Sequence, residues 1–167
     1  IHIYDNTVGS QPTKEDLAYI AGVLDGDGSL MLQLKKRSDS KRGWRLMATI
    51  CLYQDSRHED PLYWMRQKFG IGYISHRNDG MTELRINGFK QVRDIIAKLE
   101  PYLRFKKKQA KAIRRACEIL SRRSMRLLTR RDKESICKYL QSIQENNYTT
   151  RHKKSSKQLR TMIGLTP

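Results

Sequence analysis

The stretch LAYIAGVLDGDGSL, Leu17 to Leu30, closes a run without a polar face on two carboxylates, Asp25 and Asp27, separated and followed by glycines. Its spacing allows a helix over 17–25, begun by Thr13, which stands three residues ahead of Asp16 in the capping-box pattern just after Pro12. At about 100° per residue, Leu17, Ile20, Ala21 and Leu24 share one face. Ala18, Tyr19, Gly22, Val23 and Gly26 share the other. A helix that is apolar all round is buried all round. One face belongs to the domain's own core. The other carries Ala18, Gly22 and Gly26 four residues apart, a stripe of small residues that admits another backbone at close range. Two arrangements satisfy this pattern: a central core helix, or a helix pressed against a copy of itself with two carboxylate ends side by side.

Those carboxylates stand at the negative end of the helix macrodipole, where an anion is disfavoured. Something positive belongs beside them, and a hard divalent cation with oxygen ligands meets that need. The pattern points to metal-dependent chemistry.

Beyond the helix the periodicity changes to two. Leu30, Leu32 and Leu34 alternate with Met31, Gln33, Lys35 and Arg37. A polar turn over 38–43 separates this strand from a second, with Leu46, Ala48, Ile50 and Leu52 inward and Arg45, Met47, Thr49 and Cys51 outward. A second pair over 72–77 and 82–87 is joined by Asn78-Asp79-Gly80, a hairpin turn, and adds Ser75, Arg77, Glu83 and Arg85 to the polar face. For one strand such a face is ordinary solvated surface. Four strands with the same habit make a ribbon that suits a major groove. Met47 and Cys51 depart from a polar reading face, and either touch thymine methyls or pack within the strands.

Helices are expected at Asp60–Phe69, with Pro61 in its first turn and Gly70 after it, and at Phe89–Leu99, stopped by Pro101. Two more are expected over 106–123 and 133–144. The order α-β-β-α-β-β-α with further helices is an α+β fold, read as one domain over 1–147 with a mobile basic tail over 148–167.

The net charge is +17, from 34 Lys and Arg against 17 Asp and Glu. Such an excess repels itself unless a polyanion relieves it, and nucleic acid is the usual partner. An anionic membrane fits less well, because the basic residues are spread over strands and helices alike. No apolar run reaches the roughly 18 residues a membrane span needs. The start IHIYDNTVGS lacks a signal-peptide pattern. Cys51, Cys117 and Cys137 are odd in number, show no metal-ligand spacing and read as reduced thiols of an intracellular protein.

LAYIAGVLDGDGSL followed by two alternating strands resembles the LAGLIDADG homing endonucleases, in the branch with one motif per chain. The likeness runs from Asp16 to Arg115. WRLMATICLYQDS is similar to the family's second strand, which ends in an active-site glutamine, here Gln54. EPYLRFKKKQAKAI is similar to the connection that brings a lysine to the scissile phosphate, here Lys106.

The resemblance implies a homodimer whose motif helices meet at the two-fold axis, with Ala18 and Gly22 at the interface and Asp25 capping or tying the helix end there. It implies a saddle of antiparallel strands along the major groove of a long, near-palindromic duplex, cut in both strands to leave short 3′ overhangs. Asp27, with the carbonyl of Gly26, would hold Mg²⁺ or Mn²⁺, while Ca²⁺ would bind without supporting cleavage. Gln54 would orient the water and Lys106 would offset charge on the phosphorane. His58 falls where the family often places a basic residue, and reads equally as a surface histidine. Base readout would fall to Gln33, Lys35, Arg37, Arg45, Thr49, Ser75, Arg77, Glu83 and Arg85. Such proteins act on organellar or prokaryotic-type genomes. Relatives of the same fold serve as RNA maturases or non-cleaving DNA binders, so intron RNA is a second candidate partner. Asp25-Gly-Asp27-Gly-Ser29 also matches a phosphatase nucleophile loop, but that fold requires a strand before the motif, and an EF-hand would need Glu where Lys36 stands.

Overall fold

The computed structural model describes residues 11–36, 43–147 and 153–165. Arg37, a candidate base reader, lies outside them. The elements are α1 (Lys14–Asp27), β1 (Ser29–Lys36), β2 (Trp44–Asp55), α2 (Asp60–Phe69), β3 (Tyr73–His76), β4 (Met81–Asn87), α3 (Phe89–Leu99), α4 (Lys107–Leu120), α5 (Arg130–Asn146) and α6 (Ser156–Ile163). The first seven follow the expected αββαββα order.

The capping box forms at the start of α1. Thr13 Oγ1 accepts from the Asp16 N–H at 3.2 Å, and the Asp16 carboxylate accepts from the Thr13 N–H at 2.9 Å. The helix runs longer than 17–25 and includes Gly26 and Asp27 in its last turn. It passes into β1 at Gly28, where a Cβ would lie 2.6 Å from Leu24 Cδ1 and 2.8 Å from Leu24 Cα. Only glycine permits a turn that tight.

The four strands form one antiparallel sheet in the order β1-β2-β4-β3. Its underside carries Leu30, Leu32 and Leu34 of β1, Leu46, Ala48, Ile50 and Leu52 of β2, and Leu84 and Ile86 of β4, all buried. Ile20, Ala21 and Leu24 of α1 and Val92, Ile95, Ile96 and Leu99 of α3 close that layer from below, with α4 and α5 against β1. Each such Leu or Ile contributes about 1.5–3 kcal/mol relative to exposure. The inward leucines alone are therefore enough to set the register, because a slip of one residue would turn them all to solvent. Edge pairing with other chains is discouraged at β1 by Lys35 and Lys36 and at β3 by its length of four residues.

One element breaks the alternation. Burial in β2 is continuous from Ala48 to Leu52. Register explains it: Thr49 lies between Met31 and Asn87, and Cys51 between Ser29 and Arg85. Neighbours on both sides cover the outward side chains of this central strand. Cys51, Cys117 and Cys137 are free and buried, and burial pushes the Cys51 thiol up to about 11 and Cys117 up to about 12, so both stay protonated.

The expectation of a mobile tail is corrected over 153–165. Ser155 and Gln158 form a capping box, Gly164 ends α6 in the left-handed region at φ 81°, and Leu159, Ile163 and Leu165 are buried with α6 on α5. The composition of the segment hid this, because three apolar anchors are diluted among basic residues. No helix of the described residues is long and apolar enough to cross a membrane.

Candidate active site and nucleic-acid interface

The two carboxylates of the motif part company at the end of α1. Asp25 is 9% exposed and turns into its own chain. Its Oδ2 accepts from the N–H groups of Arg104 at 2.6 Å and Phe105 at 3.2 Å, and its Oδ1 from the Lys106 N–H at 2.9 Å. These N–H groups lead into α4, where the helix has no side-chain cap of its own. Asp25 thus caps α4 from another helix, and the positive partner it needs is a helix N-terminus. Asp25 stands seven residues after Ala18, so it shares the side of α1 that carries the small-residue stripe while its carboxylate is held within its own chain.

Asp27 is exposed, and its carboxylate accepts no hydrogen bond among the described residues. It lines an open cavity of about 600 Å³ with Gly26, Lys106 and Gln109. The Lys106 ammonium donates to the Asp25 carbonyl oxygen at 2.5 Å. Burial draws its pKa below the usual lysine range, against the attraction of Asp25 and Asp27. The donor set suits a hard cation: one free carboxylate, and a Gly26 carbonyl in the last turn, where helix carbonyls lack in-helix donors. Mg²⁺ binds through one or two carboxylates and fills its shell with water and phosphate. No cluster of three or more His, Cys, Asp or Glu suited to a metal occurs among the described residues.

Gln54 sits opposite Thr82 near the end of β2, and does not line the cavity that Asp27 and Lys106 share. Its Oε1 accepts from the Asp55 N–H at 2.8 Å, which leaves the amide nitrogen as the free end. His58 is exposed in a short turn beyond it. Two residues of the cavity wall went unread in the sequence. Gln109, one helical turn after Lys106, is buried, and its Nε2 donates to the Asn146 carbonyl at 2.7 Å. Gln144 grips the backbone of Lys154, accepting from its N–H at 2.9 Å and donating to its carbonyl. Only the three-residue step from Lys106 could have singled out Gln109.

On the sheet's upper face the side chains form rows. Lys35 stands opposite Arg45, Gln33 opposite Met47, and Met31, Thr49 and Asn87 follow. Next come Ser29, Cys51, Arg85 and Tyr73, then Tyr53, Glu83 and Ser75. Gln33, Lys35, Arg45 and Arg77 are exposed, while Ser75 and Arg85 are half-buried. Two expected readers are not available as they stand. Thr49 is 3% exposed and donates to Asn87 Oδ1 at 2.7 Å, and Glu83 is 6% exposed and paired with Arg85. Both belong to the crowded middle of the sheet, where neighbours consume their polar groups, Asn87 for Thr49 and Arg85 with Cys51 for Glu83.

On the outer side of α1, Ala18, Tyr19, Gly22 and Gly26 are exposed. A Cβ at Gly22 or Gly26 would meet nothing within 4 Å. Tyr19 leans edge-on against Trp64, with ring centroids 5.7 Å apart.

A family model described as LAGLIDADG endonuclease matches residues 20–120. The DNA endonuclease I-CvuI of Chlorella vulgaris is 30% identical over 96 residues, 58% of this chain and 60% of that protein. I-CreI of Chlamydomonas reinhardtii is 30% identical over 107 residues, 64% of this chain and 65% of that protein. The matched region thus spans under two thirds of either relative. In three dimensions, the crystal structure of I-CvuI with its target in the presence of calcium superposes with a TM-score of 0.75 at 21% identity, covering 92% of this chain and 98% of that one. I-SmaMI bound to uncleaved DNA gives 0.69 at 22% identity, covering 90% of this chain and 50% of that one.

Proposed function

The chain belongs to the LAGLIDADG endonuclease family, and from that we propose that it is a homing endonuclease, a homodimer that hydrolyses both strands of a long, near-palindromic duplex and leaves short 3′ overhangs. One observation carries the reading: Asp27 stands free beside Lys106, at the end of a helix whose small-residue face is bare. A carboxylate aimed at phosphate only repels it unless a cation intervenes, so a pure binding protein has no use for it there.

Asp27 and the Gly26 carbonyl would hold Mg²⁺ or Mn²⁺, and two copies would bring two such ends to the centre of the site. What the ion supplies is water activation and stabilisation of charge on the leaving 3′ oxygen. The residues of the chain do the rest. Lys106, held by Asp25, places an ammonium beside the scissile phosphate and offsets the charge of the phosphorane. Gln54 orients the attacking water through its free amide end. Gln33, Lys35, Arg45 and Arg77 face the duplex, binding phosphates and base edges.

The test uses a randomised duplex library with Mg²⁺, the wild type and Asp27→Asn, followed by sequencing of the cut ends. A near-palindrome with short 3′ overhangs, absent with the variant, is the expected result. Selective binding without cleavage by either protein would favour a regulator, or a maturase acting on intron RNA.

A further inference from the structure

The reading face of a protein with a net charge of +17 holds a carboxylate at its centre, and that carboxylate has no access to DNA. Glu83 is buried between strands, and both of its oxygens accept from protein donors. Oε1 accepts from Arg85 Nε at 2.8 Å, while Oε2 accepts from Arg85 Nη2 at 3.4 Å and from Cys51 Sγ at 3.4 Å. Arg85 lies two residues along the same strand, on the same face, opposite Cys51 and Tyr73.

The edge of the guanidinium that Glu83 occupies decides what remains. Nε and Nη2 form the side-on edge of the fork. The end-on edge, Nη1 with the second hydrogen of Nη2, stays unbonded among the described residues. Arg85 keeps 33% of its side chain exposed, against 8% for Glu83. Two parallel donors on a fixed plane match one base edge in the major groove, the O6 and N7 acceptors of guanine.

We infer that Glu83 is a positioning residue that holds Arg85 end-on for a guanine, so this pair sets sequence preference at one base pair of each half-site. The inference rests on the endonuclease reading and deepens it. Pairing also cancels the charge of Arg85 at a distance, so the pair adds selectivity without adding to general attraction for phosphate. Glu83 does not itself read cytosine, because both of its oxygens are engaged and covered.

The experiment selects bound duplexes from a randomised library in the presence of Ca²⁺, with wild type, E83Q, R85A and R85K, each first checked for a cooperative melting transition. The wild type is expected to favour guanine about tenfold or more at one position per half-site. R85A and R85K lose that preference, the latter because an ammonium has no fork. E83Q turns an acceptor into a donor facing Arg85 and Cys51, and is expected to cut the preference at that position to about threefold or less. It leaves the other positions alone and binds random DNA more tightly, since one negative charge is gone. Three outcomes overturn the inference: E83Q keeping the wild-type profile, E83Q relaxing every position alike, or a base other than guanine at the position that R85K alters. A wild type that selects no duplex at all removes the endonuclease reading with it.

Discussion

Asp25 holds Lys106 at two points: its carboxylate accepts the Lys106 backbone N–H at 2.9 Å, and its carbonyl oxygen accepts the Lys106 ammonium. One residue thus caps α4 and aims the lysine that stands beside Asp27. Asp25→Ala strands three part-buried N–H groups. Loss of about 2–3 kcal/mol of stability is expected, on the scale of lost caps and unsatisfied buried donors. Asp25→Asn, which keeps one oxygen, should lose about half as much. Urea unfolding checks both, and an unchanged midpoint in the alanine variant would show that the tie contributes nothing.

Asp27→Asn removes the free carboxylate and nothing that holds the chain together. Cleavage should fall by about a thousandfold or more, as loss of several kcal/mol of metal-derived stabilisation implies. Binding should persist or tighten, because a negative charge beside phosphate is removed. Single-turnover cleavage and gel retardation separate the two, and a loss of binding would make Asp27 a structural residue.

Gly22 and Gly28 lie in and just after the same helix yet should answer oppositely to Ala. At Gly28 a Cβ collides with Leu24, so the alanine variant is destabilised at any concentration. At Gly22 the single chain leaves open space, where alanine in an exposed helix adds up to about 1 kcal/mol. In a dimer joined by this face, Gly22→Leu should yield a folded monomer by light scattering. A stable dimer in that variant would move the interface elsewhere.

Affinity for duplex should fall steeply with salt as condensed counterions are released. Replacing Lys35 or Arg45 by Ala should reduce the slope of log K against log salt by about one wherever that side chain meets a phosphate. Titrations across a salt series measure this. A flat dependence in the wild type would assign the basic charge to another partner.

Leu159 pins α6 to the rest of the domain. Leu159→Ala should cost about 2–4 kcal/mol if α6 unfolds with the domain, as core truncations do. A variant as stable as the wild type would show that α6 docks without adding to the cooperative unit.

Much of this molecule was legible because its periods are clean. Asp60–Phe69 and Phe89–Leu99 begin and end where their Pro and Gly signals fall, and the inward leucines of β1 lie where alternation puts them. What stayed hidden depends on contacts far apart in the chain. The sequence separates Asp27 from Asp25, the residue that ties the helix end, but the partners of Asp25, the N–H groups of residues 104–106, come from far along the chain and show only in the fold. Thr49 and Glu83 alternate like surface residues, and only a partner on each side seals them. Helix α6 is short and anchored by few side chains, so its composition resembles solvated tail.

The upper face of the sheet divides into residues free to change and residues bound to each other. Among the described residues, the side chains of Gln33, Lys35 and Arg45 make no hydrogen bond or ion pair, whereas Thr49 is tied to Asn87, and Glu83 to Cys51 and Arg85. A lineage that must follow a drifting target gains from this division. Outer positions of its address can be rewritten one substitution at a time, while the middle changes only as a set. On the proposed reading of the sheet, descendants of this protein should therefore diverge first at the base pairs assigned to β1 and the start of β2, and keep longest those assigned to the Glu83 and Arg85 pair.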